Sequence, residues 1–357
     1  MTDRASKETK SEHCVKVIFF PDTRKKRGFG HYKRCETLAK IASKMGFAVS
    51  FCINQAEPFA DLLRNQGLAF SIVDWHEAQA GMLTTTLSSP SAQFINDLLP
   101  QIWIIDSYDA DYAFFRNEAA SNSILVVIDD NADREIDCDV VVNGNPFARR
   151  QDYTFRKNPK KMLVGGQYCL VPCIDERESN ATYESGLTRI LISFGGNGEP
   201  EMVADLVRRL EELRVSAHIK VVLPQQSSFA FEGRTTDCPM SIEYLPIQQS
   251  LEPLIRWSDF IVCSPSTTMY EAALANRPVI CKETASNQQK LRVFLGDRGV
   301  FSFGPEDSVE LLADACQKMT NKRIRDRQVK AIRSIGVRSG ADLVMAEIME
   351  VLYETVL

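Results

Sequence analysis

The sequence predicts an α/β protein built from two tandem open domains, each a parallel sheet wrapped by helices. Three observations carry this. Short apolar runs of strand length alternate with amphipathic stretches of helical period almost from end to end. The series starts twice, once at Val15 and again at Arg189. Between the two starts lies a polar, turn-rich segment, residues 176–186, with the character of a hinge. A chain of 357 residues is also long enough for two cores and too long for one.

The elements follow in order. Residues 15–20 form the first strand, and residues 31–46 a helix whose Cys35, Leu38, Ala39, Ala42 and Met45 share a face, stopped by Gly46. Strands are expected over 48–53, 68–73, 102–106, 124–129 and 140–143. The pattern then weakens through Arg149, Arg150, Lys157, Lys160 and Lys161 to a short apolar segment, 162–164. The second series runs strand 189–194, helix 199–213, strands 218–223 and 241–245, helix 247–257, strand 260–263, helix 267–275 and strand 279–281. Helices near 324–335 and 343–356 could cover the second domain or cross back to the first. The division expected is a disordered tail 1–13, a first domain 14–175, a second domain 176–340 and a terminal helix 341–357.

Composition narrows the function. Hydrophobic residues make up 44% and charged residues 25%, the profile of a folded globular protein. Forty-two Lys+Arg against 47 Asp+Glu give a net charge of -5, so the overall field repels a polyanion and disfavours nucleic acid as a partner. The 10 cysteines are scattered, several within apolar runs, and read as reduced core residues. Cys169 and Cys173 alone are close together, and no further Cys or His completes a zinc set, so no metal is expected. The first 13 residues lack an apolar signal region, and no run reaches the roughly 18 apolar residues of a membrane span. The expectation is a cytoplasmic protein without stable membrane insertion.

Sites in open α/β domains form at the carboxyl ends of the strands. After the first strand comes Asp22 to His31, in which Gly28 and Gly30 permit a tight turn with close backbone approach and His31 falls near a helix N-terminus. That position favours the neutral imidazole, able to take a proton at pH 7. A plain glycine turn with a partly exposed histidine has the same sequence. Arg24, Lys25, Lys26 and Arg27 would suit a phosphate or form a solvated basic loop. Asp106 and Tyr108 end another strand; Asp106 would orient a catalytic group or cap the next helix, and Asp129, Asp130 and Asp133 carry the same ambiguity with a capping or turn role favoured.

In the second series, Gly195, Gly196 and Asn197 follow the first strand, where backbone N–H groups can approach a diphosphate. Ser266 and Thr267 open a helix, and Glu271, one turn in, would accept both hydroxyls of a ribose; a capping box reads the same way. Asn287 and Gln288 complete three neighbouring loops of one nucleotide site.

Taken in order, Gly28-Phe29-Gly30-His31 with Lys33 and Arg34, Asp106-Ser107-Tyr108, Asp129-Asp130, Ser193 to Gly196, Ser266-Thr267 with Glu271, and Asn287-Gln288 resemble the UDP-sugar hydrolases of pseudaminic acid biosynthesis, over roughly residues 15 to 300. Those enzymes resemble the MurG-type glycosyltransferases and have the GT-B fold. The resemblance implies a UDP-sugar as small-molecule partner, UDP and a free sugar as products, and no cofactor. It implies His31, Tyr108 and Asp106 as catalytic residues. Gly28, Gly30, Arg34, Gly195, Gly196, Asn197, Ser266, Thr267, Glu271, Asn287 and Gln288 would contact substrate. Two departures from that pattern are Ser107, where the family commonly has histidine, and the basic stretch Thr23 to Arg27 in place of a short loop. A glycosyltransferase of the same fold and a non-catalytic sugar-nucleotide-binding protein are the alternatives.

Overall fold

The computed structural model describes residues 14–24, 29–73, 78–79, 82–83, 89–119, 121–174, 187–197, 199–223 and 240–356. The expected tail, the basic stretch Lys25 to Arg27 with Gly28, and the expected hinge lie outside them.

Seven strands form the first sheet: β1 Lys16–Pro21, β2 Ala48–Ile53, β3 Ala69–Ile72, β4 Ile102–Asp106, β5 Ile124–Ile128, β6 Val140–Asn143 and β7 Lys161–Val164. Six form the second: β8 Thr188–Ser193, β9 Ala217–Val222, β10 Met240–Leu245, β11 Phe260–Cys263, β12 Val279–Lys282 and β13 Phe301–Phe303. The spatial orders are β7-β6-β5-β4-β1-β2-β3 and β10-β9-β8-β11-β12-β13, and every pairing in both is parallel. Both sheets run outward from a central first strand and then return to its other side. A crevice therefore opens at the carboxyl ends of β1 and β4, and another at those of β8 and β11. The central strands are buried on both faces, which is why Ile18 to Phe20, Ile102 to Ile105, Ile190 to Ile192 and Phe260 to Cys263 are continuous apolar runs.

Helix α1, Gly30–Lys44, buries Tyr32, Cys35, Leu38, Ala39 and Ala42. Met45, expected on that face, is the C-cap and 44% exposed. The reason is the Gly46 stop: with φ at 85° its N–H bonds to the Ser43 carbonyl and that of Phe47 to Ala42, which turns the chain off the helix axis. Segment 162–164 becomes the edge strand β7, registered on Val140 to Asn143. The helix expected from 247 starts at Glu252, because Pro253 lacks the N–H that an earlier turn needs. The helix over Lys322–Arg333 places Ile332 and Ile335 in the second domain's core, whereas Ala341–Val356 returns to the first, burying Val344, Met345, Ile348 and Leu352 with Leu38 and Phe51. Lys161 on β7 fixes the return by bonding Glu347 and Glu350, 2.9 Å each.

Candidate active site in the cleft between the sheets

The first half of the cleft is built from carboxylates, four of them bound by two arginines. Asp22, fully buried just past β1, accepts Arg24 Nε at 2.9 Å and Nη2 at 2.6 Å, and Arg24 also reaches Asp109 at 2.5 Å. Arg24 is thus bound to the strand ends while staying partly exposed. Gly30 is the first residue of α1 with no left-handed φ, and a Cβ there would meet nothing within 4 Å. No turn demands glycine at that position.

His31 follows and is buried, 3% exposed. Its Nδ1 lies 2.5 Å from Oδ1 of Asp106 at the end of β4. An ionised carboxylate only accepts, so Nδ1 carries the proton and donates, leaving the Nε2 lone pair outward as a base. Nε2 has no hydrogen-bond partner among the described residues. The Tyr108 ring meets the imidazole edge-on, centroids 4.6 Å apart. Asp106 is held in turn: Arg34, one helical turn after His31, donates Nε to Oδ2 at 3.0 Å and Nη2 to Oδ1 at 2.7 Å. The remaining arm, Nη1, bonds Asp130 Oδ2 at 2.5 Å, and Tyr108 donates its hydroxyl to the same oxygen at 2.7 Å. Burial alone would raise the Asp130 carboxyl; Arg34 and Tyr108 outweigh it and hold it below the usual range. Burial, with Asp130 adding, pushes the Tyr108 hydroxyl up. Asp106 pairs instead of capping a helix, and Arg34 has its guanidinium committed to two carboxylates. Asp129 keeps the turn role, accepting N–H groups of Asn131 and Ala132 at 3.2 and 2.7 Å. Ser107 donates to Asp22 at 3.2 Å.

The second half is built from small groups left open. Gly195, with φ at 74°, begins a 3-10 turn over Gly195–Asn197 at the end of β8, and a Cβ on Gly195 would meet nothing within 4 Å. Ser266 is the N-cap of helix α2, Thr267–Leu274, yet its side chain makes no capping bond; its hydroxyl lies 3.0 Å from that of Ser264. The first N–H groups of that helix are therefore not satisfied by the cap side chain. The Glu271 carboxylate has no hydrogen-bond or ion-pair partner among the described residues. Burial pushes its carboxyl up to about 7, Lys33 on the facing α1 draws it down, and Glu252 pushes it up further. Gln288 spends its carbonyl on the Thr284 N–H at 2.9 Å. Asn287 crosses the cleft to the Tyr108 hydroxyl at 3.3 Å.

Further contacts close the two halves on each other. Lys33 reaches the Gln249 carbonyl at 2.8 Å and Lys290 the Asn131 carbonyl at 2.8 Å, while Tyr270, beside Glu271, donates to Asn145 at 2.5 Å. The fold thus brings His31, Tyr108, Asp106 and Arg34 together and sets Asn287 against them, with Ser266, Thr267 and Glu271 on the opposing helix. Lys33, Asn145 and Tyr270 were not singled out as site residues from the sequence, although Asn145 follows a strand end and Tyr270 adjoins Glu271. Among the described residues no group of three or more His, Cys, Asp and Glu is arranged to hold a metal, and no helix is long and apolar enough to cross a membrane.

The sequence matches no family profile and no curated protein. Solved structures do resemble the fold. Acinetobacter baumannii MurG superposes with a TM-score of 0.68 at 18% identity, covering 95% of this chain and 100% of that one. The spinosyn forosaminyltransferase SpnP gives 0.63 at 13% identity, covering 94% and 99%. A Listeria monocytogenes protein described as a UDP-N-acetylglucosamine 2-epimerase gives 0.63 at 13% identity, covering 97% and 98%. With two parallel sheets of this strand order facing across a cleft, the chain has the GT-B fold.

Proposed function

We propose that the protein is a hydrolase that releases UDP from a nucleotide-activated amino sugar, with UDP-2,4-diacetamido-2,4,6-trideoxy-β-L-altropyranose as the substrate that the sequence resemblance favours. The observation that carries the reading is the His31–Asp106 pair, a buried imidazole with its tautomer fixed by a 2.5 Å bond and its Nε2 left as the base. Water attacks the anomeric carbon, the bond from that carbon to the diphosphate oxygen breaks, and the configuration inverts. The water proton passes to Nε2, and Asp106 stabilises the imidazolium formed. UDP leaves toward the second sheet, where the Gly195 turn and the α2 N-terminus offer N–H groups to the diphosphate and Glu271 accepts the ribose hydroxyls. Base and leaving group suffice for this chemistry, so no cofactor enters. Domain limits near residues 175 and 340 follow the same division of labour.

One observation favours a second reading: MurG and SpnP, with which this chain shares its fold, are a glycosyltransferase-type neighbour and a named forosaminyltransferase. There an acceptor hydroxyl replaces water at the same base. Purified protein incubated with a panel of UDP-activated amino sugars separates the two, with products followed by mass spectrometry. Release of UDP and free sugar without acceptor is the expected result. Release only when an acceptor is added overturns hydrolysis in favour of transfer.

A further inference from the structure

The catalytic reading uses His31 and Asp106, and the nucleotide reading uses Glu271; neither uses the buried polar chain that connects them. Tyr270, 8% exposed, donates its hydroxyl to Asn145 Oδ1 at 2.5 Å. Asn145, also 8% exposed, donates Nδ2 to Asp130 Oδ1 at 2.8 Å and to Asn143 Oδ1 at 2.9 Å. These partners fix the amide orientation, since a tyrosine hydroxyl donates to the carbonyl oxygen and a carboxylate accepts only from the NH₂. Asp130 then takes Arg34 Nη1 at 2.5 Å on its other oxygen, and the same guanidinium clamps both oxygens of Asp106, which holds Nδ1 of His31. Asn143 is anchored from behind by donating to Tyr153 at 2.8 Å.

We propose that Tyr270 and Asn145 are positioning residues through which helix α2 of the second domain holds the His31–Asp106 pair in its working orientation. This rests on the hydrolytic reading above. The physical case is that a polar chain in a core costs stability unless every member is satisfied, and here a phenylalanine at 270 and an apolar residue at 145 would each fill the space without that requirement. What the chain gains is direction. Arg34 cannot rotate off Asp106 without breaking its bond to Asp130, and Asp130 is held on its first oxygen by Asn145. Tyr270 precedes Glu271 on one helix, so the groups that would receive the ribose and orient the base belong to one rigid element.

The test uses full-length protein with Tyr270→Phe, Asn145→Ala and the double variant. Steady-state UDP release should show kcat lower by about 10-fold or more in each single variant, KM within about twofold, and the double variant no worse than Asn145→Ala, as members of one chain are not additive. A second readout is independent of turnover. Four histidines make the imidazole nitrogen spectrum simple, and comparison with His31→Asn assigns the His31 signals. The wild type should show the Nδ1–H tautomer set by Asp106, with Arg34, Tyr108 and Asp130 around the ring. Both variants should move those signals. If the folded variants lose only thermal stability, with kcat and the His31 signals unmoved, the chain is inter-domain glue and the inference falls. If the wild type releases no UDP from any sugar tested, the hydrolytic reading falls by itself, and the imidazole spectra still decide whether Tyr270 and Asn145 position His31.

Discussion

The two halves of the cleft solve opposite problems with the same topology. At the carboxyl ends of β1, β4 and β5, Asp22, Asp106 and Asp130 are each bound by Arg24 or Arg34, so every one of these carboxylates has a partner before any ligand arrives. At the ends of β8, β11 and β12 the chain offers a glycine turn, an N-cap serine that does not cap, and a carboxylate without a partner. A saturated site holds one geometry and suits a fixed base, whereas an unsaturated one has bonds still to give and suits a ligand rich in oxygen. This difference supports the proposed division, with chemistry in the first half and binding in the second.

The sharpest way to break the first half is Arg34→Met. It removes the cation between two carboxylates, one of them fully buried, and should destabilise the fold by about 3 to 5 kcal/mol, read by denaturant unfolding. A loss below about 1 kcal/mol would mean that the charges are solvated and not matched.

His31→Asn keeps a polar group of similar size but no base. Turnover should fall by about 100-fold or more with UDP affinity retained. Collapse of UDP affinity alongside turnover would make His31 a diphosphate ligand and blur the contrast between the halves.

Glu271→Ala should weaken UDP by about 10- to 150-fold in calorimetric titration, the loss of charge-assisted bonds worth about 1.5 to 3 kcal/mol. The same carboxyl sets a pH limb. Its native value of about 7 exceeds its ordinary 4.5, so the ligand-free fold loses stability as pH rises from about 4.5 to about 7, and no further above. Hydroxyl donors need the ionised form, so UDP affinity should fall as pH drops below about 7, and Glu271→Gln should flatten that limb. An unchanged slope in the glutamine variant would place the titrating group elsewhere.

The smallest effect separates a cap from a ligand. Ser266 makes no capping bond, so Ser266→Ala should cost less than about 0.5 kcal/mol in unfolding while weakening UDP severalfold. A loss of about 1 kcal/mol or more, with UDP binding unchanged, would restore the capping box.

Most elements with long, strongly patterned sequences were legible beforehand and short or shared ones were not, the 11-residue helix Val309–Met319 being a long element that was missed. The central strands match their expected ranges to within a residue or two because burial on both faces demands an uninterrupted apolar run. The helices Phe59–Asn65, Tyr112–Glu118 and Gln289–Gly296 escaped because two turns contain too few positions to show a period. Among chemistry-bearing residues, His31, Asp106, Tyr108 and Glu271 stand at strand ends or helix starts, where fold class alone directs attention.

By itself the sequence determined the fold class, the two starts of the strand series and the loops that meet at the cleft, since these depend on local period and chain order. Only the tertiary structure decided what each polar residue does. Asp106, Asp129 and Asp130 are equivalent as strand-end acids, yet one holds a histidine, one closes a turn and one joins Arg34 to Asn145. Arg34 reads as a cation for substrate and is consumed by two carboxylates, and the terminal helix could have joined either domain until its apolar face met Leu38 and Phe51. The physical reason is range. Periodicity acts between neighbours in sequence, whereas a charge is assigned by whichever partner lies within a few ångströms, and here those partners are 72, 96 and 125 residues away.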